Sequence, residues 1–595
     1  MNSFVPPTHL DDSLLPSTSP AYLKESTSVK VQRETTSQSK LTLKSRANSS
    51  ASKSLTKGFA LNKKAYANLS EIDQASFESF VQGPAVELPF SFLHQAFEHW
   101  ADIQPHRIAA EFAGQNISYE QLNTKAQLLK QELITKGVQP NDKVGLFVKR
   151  SIDMLIGMLA IFKAGAAYIP LDAGVVPSAQ MQTIIDMADI KLVLSLSAFV
   201  DKIPRTSSNL TVLAIDQLAL DKQIPLQGKF QEPNTAGNER CAFVLFTSGT
   251  TGTPNGVQVS HKNLCNILLT SPGNMMIKPG DKVSQILNIG FDMSAWEIWG
   301  ALCNGGSLVI RGKSIEDAVA KADVVIATPS ILDRISLNSV LPIKAAAVAG
   351  EPCPRPLADK WADACAFYNS CGPTETTIIN TAQRHFSEST LLTIGSPTPN
   401  NTVYVLDKDL QPCAIGEVGE MWAGGDCVSL GYIANQQLTD ERYKPDLFIS
   451  GDRYMFRTRD LGRWTKDGQL EHLGRTDDQV KVRGFRVELD AVSNLLEQQQ
   501  HCQRAVTLKL NNRDLIAFVM PETIDTRAAR QALAKKLPYY SVPEHIIAMP
   551  KLPLTDRGKV DKASLKAEYF EKVASLSNID DQPQTTNMQE GVTCR

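Results

Sequence analysis

Phe246-Thr-Ser-Gly-Thr-Thr-Gly-Thr-Pro-Asn-Gly256 is a glycine- and hydroxyl-rich turn that directly follows an apolar run at residues 241–246. The apolar run has the length and the pattern of a buried strand. A turn of this kind can fold its backbone N–H groups and its hydroxyls around phosphate oxygens, because glycine permits close approach. It lacks the Gly-x4-Gly-Lys-Ser/Thr spacing of a Walker loop. The turn therefore predicts a phosphate site after a strand, and a flexible surface turn is the alternative interpretation.

Apolar runs and helical patterns alternate on the N-terminal side of this turn. Residues 144–148, 191–195 and 210–214 have the pattern of buried strands, and residues 152–162 have that of a helix. Alternation of this kind indicates helices layered on largely parallel sheets. The fold class is therefore predicted to be α/β.

The composition is that of a globular protein with more than one folded unit. The chain has 595 residues, of which 42% are hydrophobic and 21% charged, and this length exceeds one ordinary core. A formal net charge of -2 provides no basic face for nucleic acid. No apolar run approaches the roughly 20 residues needed to cross a bilayer. We expect neither a nucleic acid nor a membrane as a partner.

The cysteines and the N-terminus predict a cytoplasmic location. The ten cysteines are scattered beyond residue 240 and include no Cys-x-x-Cys pair, which argues against a zinc site and a disulfide framework and predicts reduced thiols. The N-terminus has no charged start followed by an apolar core, so it is not predicted to be a secretory signal. Asp11 and Asp12 disfavour a transit peptide, because such peptides avoid acidic residues.

Composition and patterning divide the chain into four segments. Residues 1–82 are rich in Ser and Thr and poor in aromatic residues, and such a segment cannot bury enough apolar surface to offset its ordering entropy. We predict a disordered segment at residues 1–82, a large domain at 83–476, a small α+β domain at 477–570 and a flexible tail at 571–595.

A series of motifs extends over most of the chain in a fixed order. Besides the phosphate turn, the motifs are Ile117-Ser-Tyr-Glu-Gln-Leu122, Phe162-Lys-Ala-Gly-Ala-Ala-Tyr-Ile-Pro-Leu-Asp172, Phe291-Asp-Met-Ser-Ala-Trp-Glu297, Asn369-Ser-Cys-Gly-Pro-Thr-Glu-Thr-Thr377, Gly416-Glu-Val-Gly-Glu420, Phe456-Arg-Thr-Arg-Asp-Leu461, Gly474-Arg-Thr-Asp-Asp-Gln-Val-Lys-Val-Arg-Gly484 and Leu554-Thr-Asp-Arg-Gly-Lys-Val-Asp561. With them the chain resembles, from about residue 92 to residue 565, the adenylate-forming superfamily of acyl-CoA ligases, luciferases and peptide-synthetase adenylation domains. The closest resemblance is to a free-standing amino-acid adenylation domain of nonribosomal peptide synthetases. It implies an AMP-producing ligase with a large N-terminal domain of layered sheets and helices and a smaller mobile C-terminal domain.

The resemblance implies a site for ATP and Mg²⁺. Thr374 is expected to hydrogen-bond the α-phosphate, and Glu375 to hold Mg²⁺, a hard cation that prefers carboxylate oxygen. Lys559 is the expected catalytic residue, because its ammonium would bridge the substrate carboxylate and the α-phosphate as negative charge builds up. A solvated loop lysine is the alternative interpretation of Lys559. The other expected nucleotide residues are Thr247, Ser248, Gly249, Thr250, Thr251 and Gly252 of the phosphate turn, with Gly350, Glu351, Pro352, Ser370, Cys371, Asp460 and Arg475.

Asp477 matches the hinge of this superfamily, between the large and the small domain. Rotation about the hinge would present Lys559 for adenylation and another face of the small domain for transfer, and closure of this type sequesters the reactants. An ordinary turn aspartate is the alternative interpretation of Asp477.

Asp292 discriminates between the acids that such an enzyme could activate. The resemblance implies that Asp292 pairs with the ammonium of an α-amino acid, since a carboxylate in an apolar pocket is costly unless it is paired. An aspartate that caps the following helix is the alternative. A bulky apolar or aromatic side chain is the favoured substrate, because the other aligned pocket positions are apolar with one hydroxyl: Met293, Trp296, Ala327, Ala347, Ala349, Ser370, Ile378 and Ile379.

The sequence departs from the family pattern at several positions. Asn255 replaces the usual lysine of the phosphate turn, and Cys371 replaces the tyrosine that stacks on adenine; both changes weaken the expected hold on ATP. Arg459 and the run Leu489-Asp490-Ala491 also differ from the pattern. A catalytically weak nucleotide-binding pseudoenzyme is therefore one alternative, and an acyl- or aryl-CoA ligase is another.

The segment after residue 565 has no Gly-Gly-x-Ser that could receive a phosphopantetheine arm. We therefore expect no prosthetic group in this chain and an external acceptor, which would be a separate carrier protein, CoA or an amine. The predicted setting is the biosynthesis of specialised metabolites.

Overall fold

The computed structural model describes residues 58–204, 209–220, 239–249, 253–340, 342–554 and 560–577. Within these residues, none of the helices has both the length and the apolar character that a membrane span needs. The described helices are Glu71–Phe80, Leu93–Ile103, Tyr119–Thr135, Ile152–Lys163, Ser178–Met187, His261–Leu268, Asp292–Leu302, Ile315–Val319, Pro329–Leu332, Arg355–Ala362, Gln436–Arg442, Leu489–Glu497, Thr526–Lys536 and Lys562–Ser577, with short 3₁₀ helices at Lys63–Tyr66, Ser197–Lys202, Ile215–Gln217, Leu337–Ser339, Thr374–Thr376 and Tyr539–Ser541.

Two largely parallel sheets form the centre of the protein. All strands of these two sheets come from residues before 400. Most of the buried side chains between the two sheets form one continuous apolar core. The first sheet has the strand order Thr211–Ala214, Leu192–Ser195, Lys143–Val148, Ala167–Asp172, Cys241–Thr247 and Asn255–Ser260. The second has the order Ser396–Pro397, Thr381–His385, Ala366–Cys371, Ala345–Val348, Val324–Ala327, Lys282–Gln285, Ser307–Ile310, Ile108–Phe112 and Gln115–Ser118. The strands and the helix predicted from periodicity are present, and the α/β class is confirmed.

The parallel order brings the chemistry-bearing turns to one edge of the sheets. In the second sheet, the strands Val324–Ala327, Ala345–Val348 and Ala366–Cys371 are neighbours and run parallel. The segments that follow parallel strands leave the sheet at the same edge. The segments after Ala345–Val348 and Ala366–Cys371 carry Gly350 and Thr374, so residues distant in sequence converge there.

A third, antiparallel sheet packs its own core against the segment before residue 83. Its strands are Asn401–Leu406, Gly419–Gly425, Tyr454–Trp464 and Tyr443–Pro445 in that order, with Leu470–Arg475 paired to Tyr454–Trp464. Tyr66, Phe77 and Val81 are buried in this core, and the ring of Phe77 lies 4.8 Å from that of Tyr66.

Residues 58–82 are therefore folded, contrary to the disorder predicted for residues 1–82. The helix Glu71–Phe80 begins with a hydrogen bond from the Asp73 N–H to the hydroxyl of Ser70, which satisfies a free N–H of the first turn. The segment 1–82 is polar as a whole, but its short run at residues 58–82 has enough apolar side chains to form a core. Residues 1–57 lie outside the described part of the chain.

The C-terminal unit, residues 479–577, has two small sheets and cores of its own. The strands Gln479–Val482 and Phe485–Glu488 form an antiparallel pair, which we call the hairpin. The second sheet has the order Arg504–Lys509, Leu515–Met520 and His545–Ala548. The helix Lys562–Ser577 extends beyond residue 570, into the segment predicted to be a flexible tail. It contains neither Gly nor Pro and is rich in Ala, Leu, Lys and Glu, which favour helix.

Candidate active site

The phosphate turn begins at the end of the strand Cys241–Thr247. The Thr247 hydroxyl donates to the Asn255 carbonyl at 3.3 Å, which ties the two ends of the turn together. A side chain at Gly249 would meet the Thr253 carbonyl oxygen at 2.1 Å, so the tight course of the backbone requires glycine. Thr250, Thr251 and Gly252 lie outside the described residues, and so does Lys559. Their roles in phosphate binding and catalysis stay predictions.

A cavity of about 480 Å³ brings together most of the residues predicted to bind the nucleotide. These are Gly350, Glu351, Pro352, Ser370, Cys371, Thr374, Asp460 and Arg475, and Asp477, the predicted hinge, lines the same cavity. The Oε1 atom of Glu351 and the hydroxyl of Ser370 are buried without a hydrogen-bond partner among the described residues. Buried polar atoms are normally hydrogen-bonded, so these two atoms suit a ligand that supplies hydrogen bonds, as the adenine and ribose of ATP do.

Asp460 lies in the nucleotide cavity, where Arg475 and His472 are the partners of its carboxylate. Arg475 Nη1 donates to its carboxylate at 2.5 Å, and His472 Nε2 lies 3.4 Å away. The Gly474 N–H donates to His472 Nδ1 at 3.3 Å, which leaves the proton of a neutral imidazole on Nε2, facing Asp460. Burial opposes ionisation of Asp460, but His472 and Arg475 outweigh it and lower the pKa of this carboxyl group. Asp460 is therefore an ionised acceptor suited to ribose hydroxyls.

Arg475 also connects the nucleotide cavity to Asp477, the predicted hinge. Its Nε and Nη2 atoms donate to the Asp477 carboxylate at 2.8 and 3.0 Å. This two-point pairing fixes both planar groups. Asp477 directly precedes the hairpin, so the link between the third sheet and the C-terminal unit is held to the residues that line the nucleotide cavity.

Asp292 is the first residue of the helix Asp292–Leu302 and is 8% exposed. Its Oδ1 accepts the Met293 N–H at 2.7 Å, and Thr374 lines the same small cavity as this carboxylate. Burial raises the pKa of Asp292, while Lys481, Thr374 and the Met293 N–H act against the rise. The carboxylate thus faces the site and also holds the first turn of its helix, so both interpretations of Asp292 have a counterpart in the contacts.

A small cavity of about 60 Å³ lies in front of Asp292, and Met293, Ala349 and Ile378 line it. Five residues line both this cavity and the nucleotide cavity: Gly350, Gly372, Thr374, Lys481 and Arg486. The remaining residues predicted for the substrate pocket are buried but do not line the small cavity: Trp296, Ala327, Ala347, Ser370 and Ile379. Trp296 lies behind it and donates to the Gly273 carbonyl at 2.6 Å.

Glu375 is fully buried and is occupied by protein donors. Its Oε1 accepts the Tyr432 hydroxyl at 2.6 Å, and Arg486 Nη1 lies 2.9 and 3.2 Å from the two carboxylate oxygens. Burial opposes ionisation, but Arg486, Arg442 and Tyr432 lower the pKa of Glu375 to about 2. No group of three His, Cys, Asp or Glu residues suited to a metal occurs in the described part of the chain. In this arrangement, the residues around Glu375 do not fit Mg²⁺.

Lys481 and Arg486 of the hairpin were not predicted to belong to the site. Burial lowers the pKa of Lys481, while Asp292 acts in the opposite direction. The Ser248 hydroxyl donates to the Arg486 carbonyl at 3.0 Å, and the Phe485 ring lies 4.3 Å from that of Phe291. Lys481 stands in the motif at residues 474–484 and Arg486 follows it. Arg486 contacts Glu375, which is distant in sequence, and no local pattern predicts such a contact.

A third cavity, of about 660 Å³, carries a concentration of positive charge. We call it the basic cavity; its cationic lining residues are Lys149, Arg150, Arg311, Lys313 and Arg483. Asp172 also lines it but already accepts the Asn288 amide and the Gly174 N–H at 2.8 Å each. The Nε atoms of Arg150 and Arg311 are buried and lack a partner among the described residues. Phe291, Met293 and Phe485 line both this cavity and the one in front of Asp292.

The sequence matches a known family over the part of the chain that forms most of these cavities. The family described as AMP-binding enzyme matches residues 97–433. Adenylate-forming reductase 06235 of Coprinopsis cinerea is 40% identical over 502 residues, which are 84% of this chain and 48% of that protein. Bacitracin synthase 3 of Bacillus licheniformis is 35% identical over 490 residues, which are 80% of this chain and 8% of that protein. The chain thus spans about half the length of the reductase it matches.

The structure is similar to a solved adenylation-domain structure. NpsA-ThdA, an artificially fused adenylation-PCP di-domain NRPS from Klebsiella oxytoca, superposes with a TM-score of 0.69. The match covers 83% of this chain and 97% of that chain at 24% sequence identity. At this identity the similarity concerns the fold, and it agrees with the layered α/β architecture expected from the motifs.

Proposed function

Because this chain belongs to the family of AMP-binding enzymes and is an adenylate-forming ligase, we propose that its substrate is an amino acid. An oxygen of the amino-acid carboxylate attacks the α-phosphorus of ATP, the bond between the α- and β-phosphates breaks, and aminoacyl-AMP and pyrophosphate are formed. The nucleotide cavity and the cavity in front of Asp292 share a wall of five residues. The part of this wall outside the hairpin, Gly350, Gly372 and Thr374, is the observation that carries the proposal, because it is where a carboxylate and an α-phosphate would meet.

Asp292 and Thr374 suit the two ends of an amino acid. The ammonium group would pair with the buried Asp292 carboxylate, and the carboxylate group would lie towards Thr374, on the nucleotide side of the same cavity. Thr374 would then turn its hydroxyl between Asp292 and the α-phosphate. An acid without an amine would leave Asp292 buried and without a substrate cation, which is costly.

A bulky apolar or aromatic side chain is the proposed specificity. Met293, Ala349 and Ile378 line the cavity in front of Asp292, and these apolar surfaces cannot compensate the desolvation of a charged side chain. Phe485 and Tyr540 of the C-terminal unit close the same cavity, with their rings stacked at 3.7 Å. Movement of the C-terminal unit would enlarge the space available to the side chain.

The proposed acceptor is a thiol that carries a phosphate, as CoA and the phosphopantetheine arm of a carrier protein do. The basic cavity supports this choice, because its unpartnered guanidinium Nε atoms suit a phosphate and its inner end meets Phe291 and Met293 beside the substrate cavity. Arg311→Gln should raise the KM for CoA severalfold and leave the KM for pantetheine, which lacks the phosphate, unchanged.

A second candidate function follows from the names of two relatives. Adenylate-forming reductases 06235 and 03009 of Coprinopsis cinerea are 40% and 39% identical to this chain. We propose as the alternative that the activated acid is afterwards reduced rather than joined to another molecule. This candidate predicts that oxidation of a nicotinamide reductant depends on both ATP and the acid, together with an aldehyde or alcohol product.

The decisive experiment is a panel of amino acids and of their deaminated analogues, assayed for pyrophosphate release with hydroxylamine to trap the adenylate. A signal from one or a few apolar or aromatic amino acids is the expected result. A signal only from acids without the amine would reject the amino-acid proposal in favour of an acyl- or aryl-acid substrate.

A further inference from the structure

The guanidinium of Arg486 stands at the carboxylate that the motif assigns to Mg²⁺. Arg486 Nη1 contacts both oxygens of Glu375, and Tyr432 takes a further position on Oε1. A Mg²⁺ ligated by this carboxylate would lie about 2.0–2.1 Å from an oxygen, in the space that the guanidinium fills. Two cations at one carboxylate would also repel each other in a site that water does not screen.

Arg486 has little freedom to leave Glu375 unless the hairpin moves. Its side chain is 12% exposed and its Nε donates to Glu488 at 3.1 Å. Its backbone carbonyl accepts the hydroxyl of Ser248, in the phosphate turn. Gly484, two residues earlier, is tightly packed as well, since a side chain there would lie 2.9 Å from Cγ2 of Thr328.

We propose that Arg486 and the divalent cation of the ATP substrate are mutually exclusive partners of Glu375. Docking of the hairpin therefore requires the metal to have left, and metal binding releases the hairpin. The inference rests on the proposed function, because the metal is the one that accompanies ATP. Since coupling between two partners is reciprocal, a variant that weakens hairpin docking should strengthen metal binding.

The docked hairpin also places Lys481 in the wall of the cavity in front of Asp292, so it brings a cation towards each of the two buried carboxylates of the site. Before the hairpin docks, those carboxylates are free for the two substrate cations, the metal and the ammonium. Departure of the metal with pyrophosphate would free Glu375 for Arg486 and would favour the arrangement in which the basic cavity meets the substrate cavity. The exchange of a metal for an arginine would thus separate the two half-reactions in time.

The test measures metal affinity rather than turnover. Mn²⁺ binding to the full chain is followed by electron paramagnetic resonance of the free ion, in the presence of the non-hydrolysable α,β-methylene analogue of ATP. Arg486→Gln should bind Mn²⁺ roughly fivefold or more tightly than the wild type, given the usual size of coupling between sites. Arg530→Gln is the matched control: it removes the same charge from the C-terminal unit, but Arg530 pairs with Glu544 at 3.4 Å and lines none of the three cavities.

Gly484→Val provides an independent variant, because it disturbs docking by steric clash and leaves Arg486 and Glu375 intact. It should tighten Mn²⁺ binding as Arg486→Gln does. Hydrogen exchange of peptides covering residues 479–488 should in addition become faster when Mn²⁺ joins the analogue. Wild-type Mn²⁺ affinity in both variants, or hairpin exchange that ignores the metal, would overturn the inference. Failure of every acid in the hydroxamate assay would instead defeat the proposed function, and the Mn²⁺ comparison would still stand.

Discussion

The amino-acid proposal depends most directly on Asp292, and its replacement by alanine has a calculable effect. Asp292 is 8% exposed, so a substrate ammonium would form a largely buried ion pair with it. Removal of one partner from a buried pair costs about 3–5 kcal/mol. Asp292→Ala should therefore lower kcat/KM for an amino-acid substrate by roughly 100- to 3,000-fold through the ammonium alone.

The same variant affects every substrate to a smaller extent through the protein itself. It removes the hydrogen bond to the Met293 N–H, which is worth about 1 kcal/mol of stability. That part of the loss is common to amino acids and their deaminated analogues. The ratio of the two kcat/KM values isolates the ammonium pairing, and it should fall by at least two orders of magnitude.

The assay is hydroxamate formation with an aromatic amino acid and its deaminated analogue, measured for the wild type and for Asp292→Ala. Lys481→Met is the matched control, because it removes the hairpin cation near Asp292 but not the proposed ammonium partner. The control should preserve the preference for the amine. Equal losses for both substrates in Asp292→Ala would refute the reasoning, since Asp292 would then act only on the helix and on Lys481.

Three further predictions concern catalysis, pH dependence and stability. Lys559→Ala should reduce adenylate formation roughly 100-fold or more while circular dichroism and thermal unfolding stay unchanged; near-normal rates would remove Lys559 from the mechanism. Asp460 has a folded pKa below its usual 3.8, so its contribution to stability is complete above about pH 5 and is lost as the pH falls through the lowered pKa. The difference in unfolding free energy between wild type and Asp460→Asn should therefore be constant from about pH 8 to 5 and shrink in acid, and a difference that grows in acid would contradict this sign. Phe77→Ala should lower the free energy of unfolding by about 3–5 kcal/mol in urea denaturation, because Phe77 is 4% exposed and stacks on Tyr66, whereas an unchanged midpoint would mean that residues 58–82 add little to the core.

Local pattern was sufficient for the layered sheets, whereas the residues of the nucleotide cavity were predicted from the family resemblance. The apolar run at residues 241–246 and the alternation around residue 144 are properties of neighbouring residues, so the strands could be predicted from them. The motif positions Gly350, Thr374 and Asp460 converge on one cavity because the topology brings them there. The residue types indicated the chemistry of the site, and the family resemblance indicated that these residues lie together.

The side chains that sequence reasoning did not resolve depend on contacts between distant segments. Trp296 was aligned with the substrate pocket, yet its indole N–H bonds the Gly273 carbonyl and the ring lies in the core. The direction of a helical side chain depends on what packs against its helix, and motif spacing contains no information about that. Phe77 was not predicted to be a core residue for the same reason. It is buried against Phe448, whose ring lies 5.6 Å away but which is 371 positions later in the chain.

Arg486 is the clearest example, because its role in the site depends on whether the hairpin is docked and not only on the fold. It contacts Glu375 across a separation of 111 residues, and the contact exists only while the hairpin is docked. The motif that contains Glu375 predicts a metal at this carboxylate. With the hairpin docked, the Arg486 guanidinium already pairs with the same carboxylate. Both statements hold if Glu375 exchanges one cation for another during the reaction. A buried carboxylate with two alternative cations is therefore a physical basis for alternation between two states, since only one of the two cations can occupy it at a time.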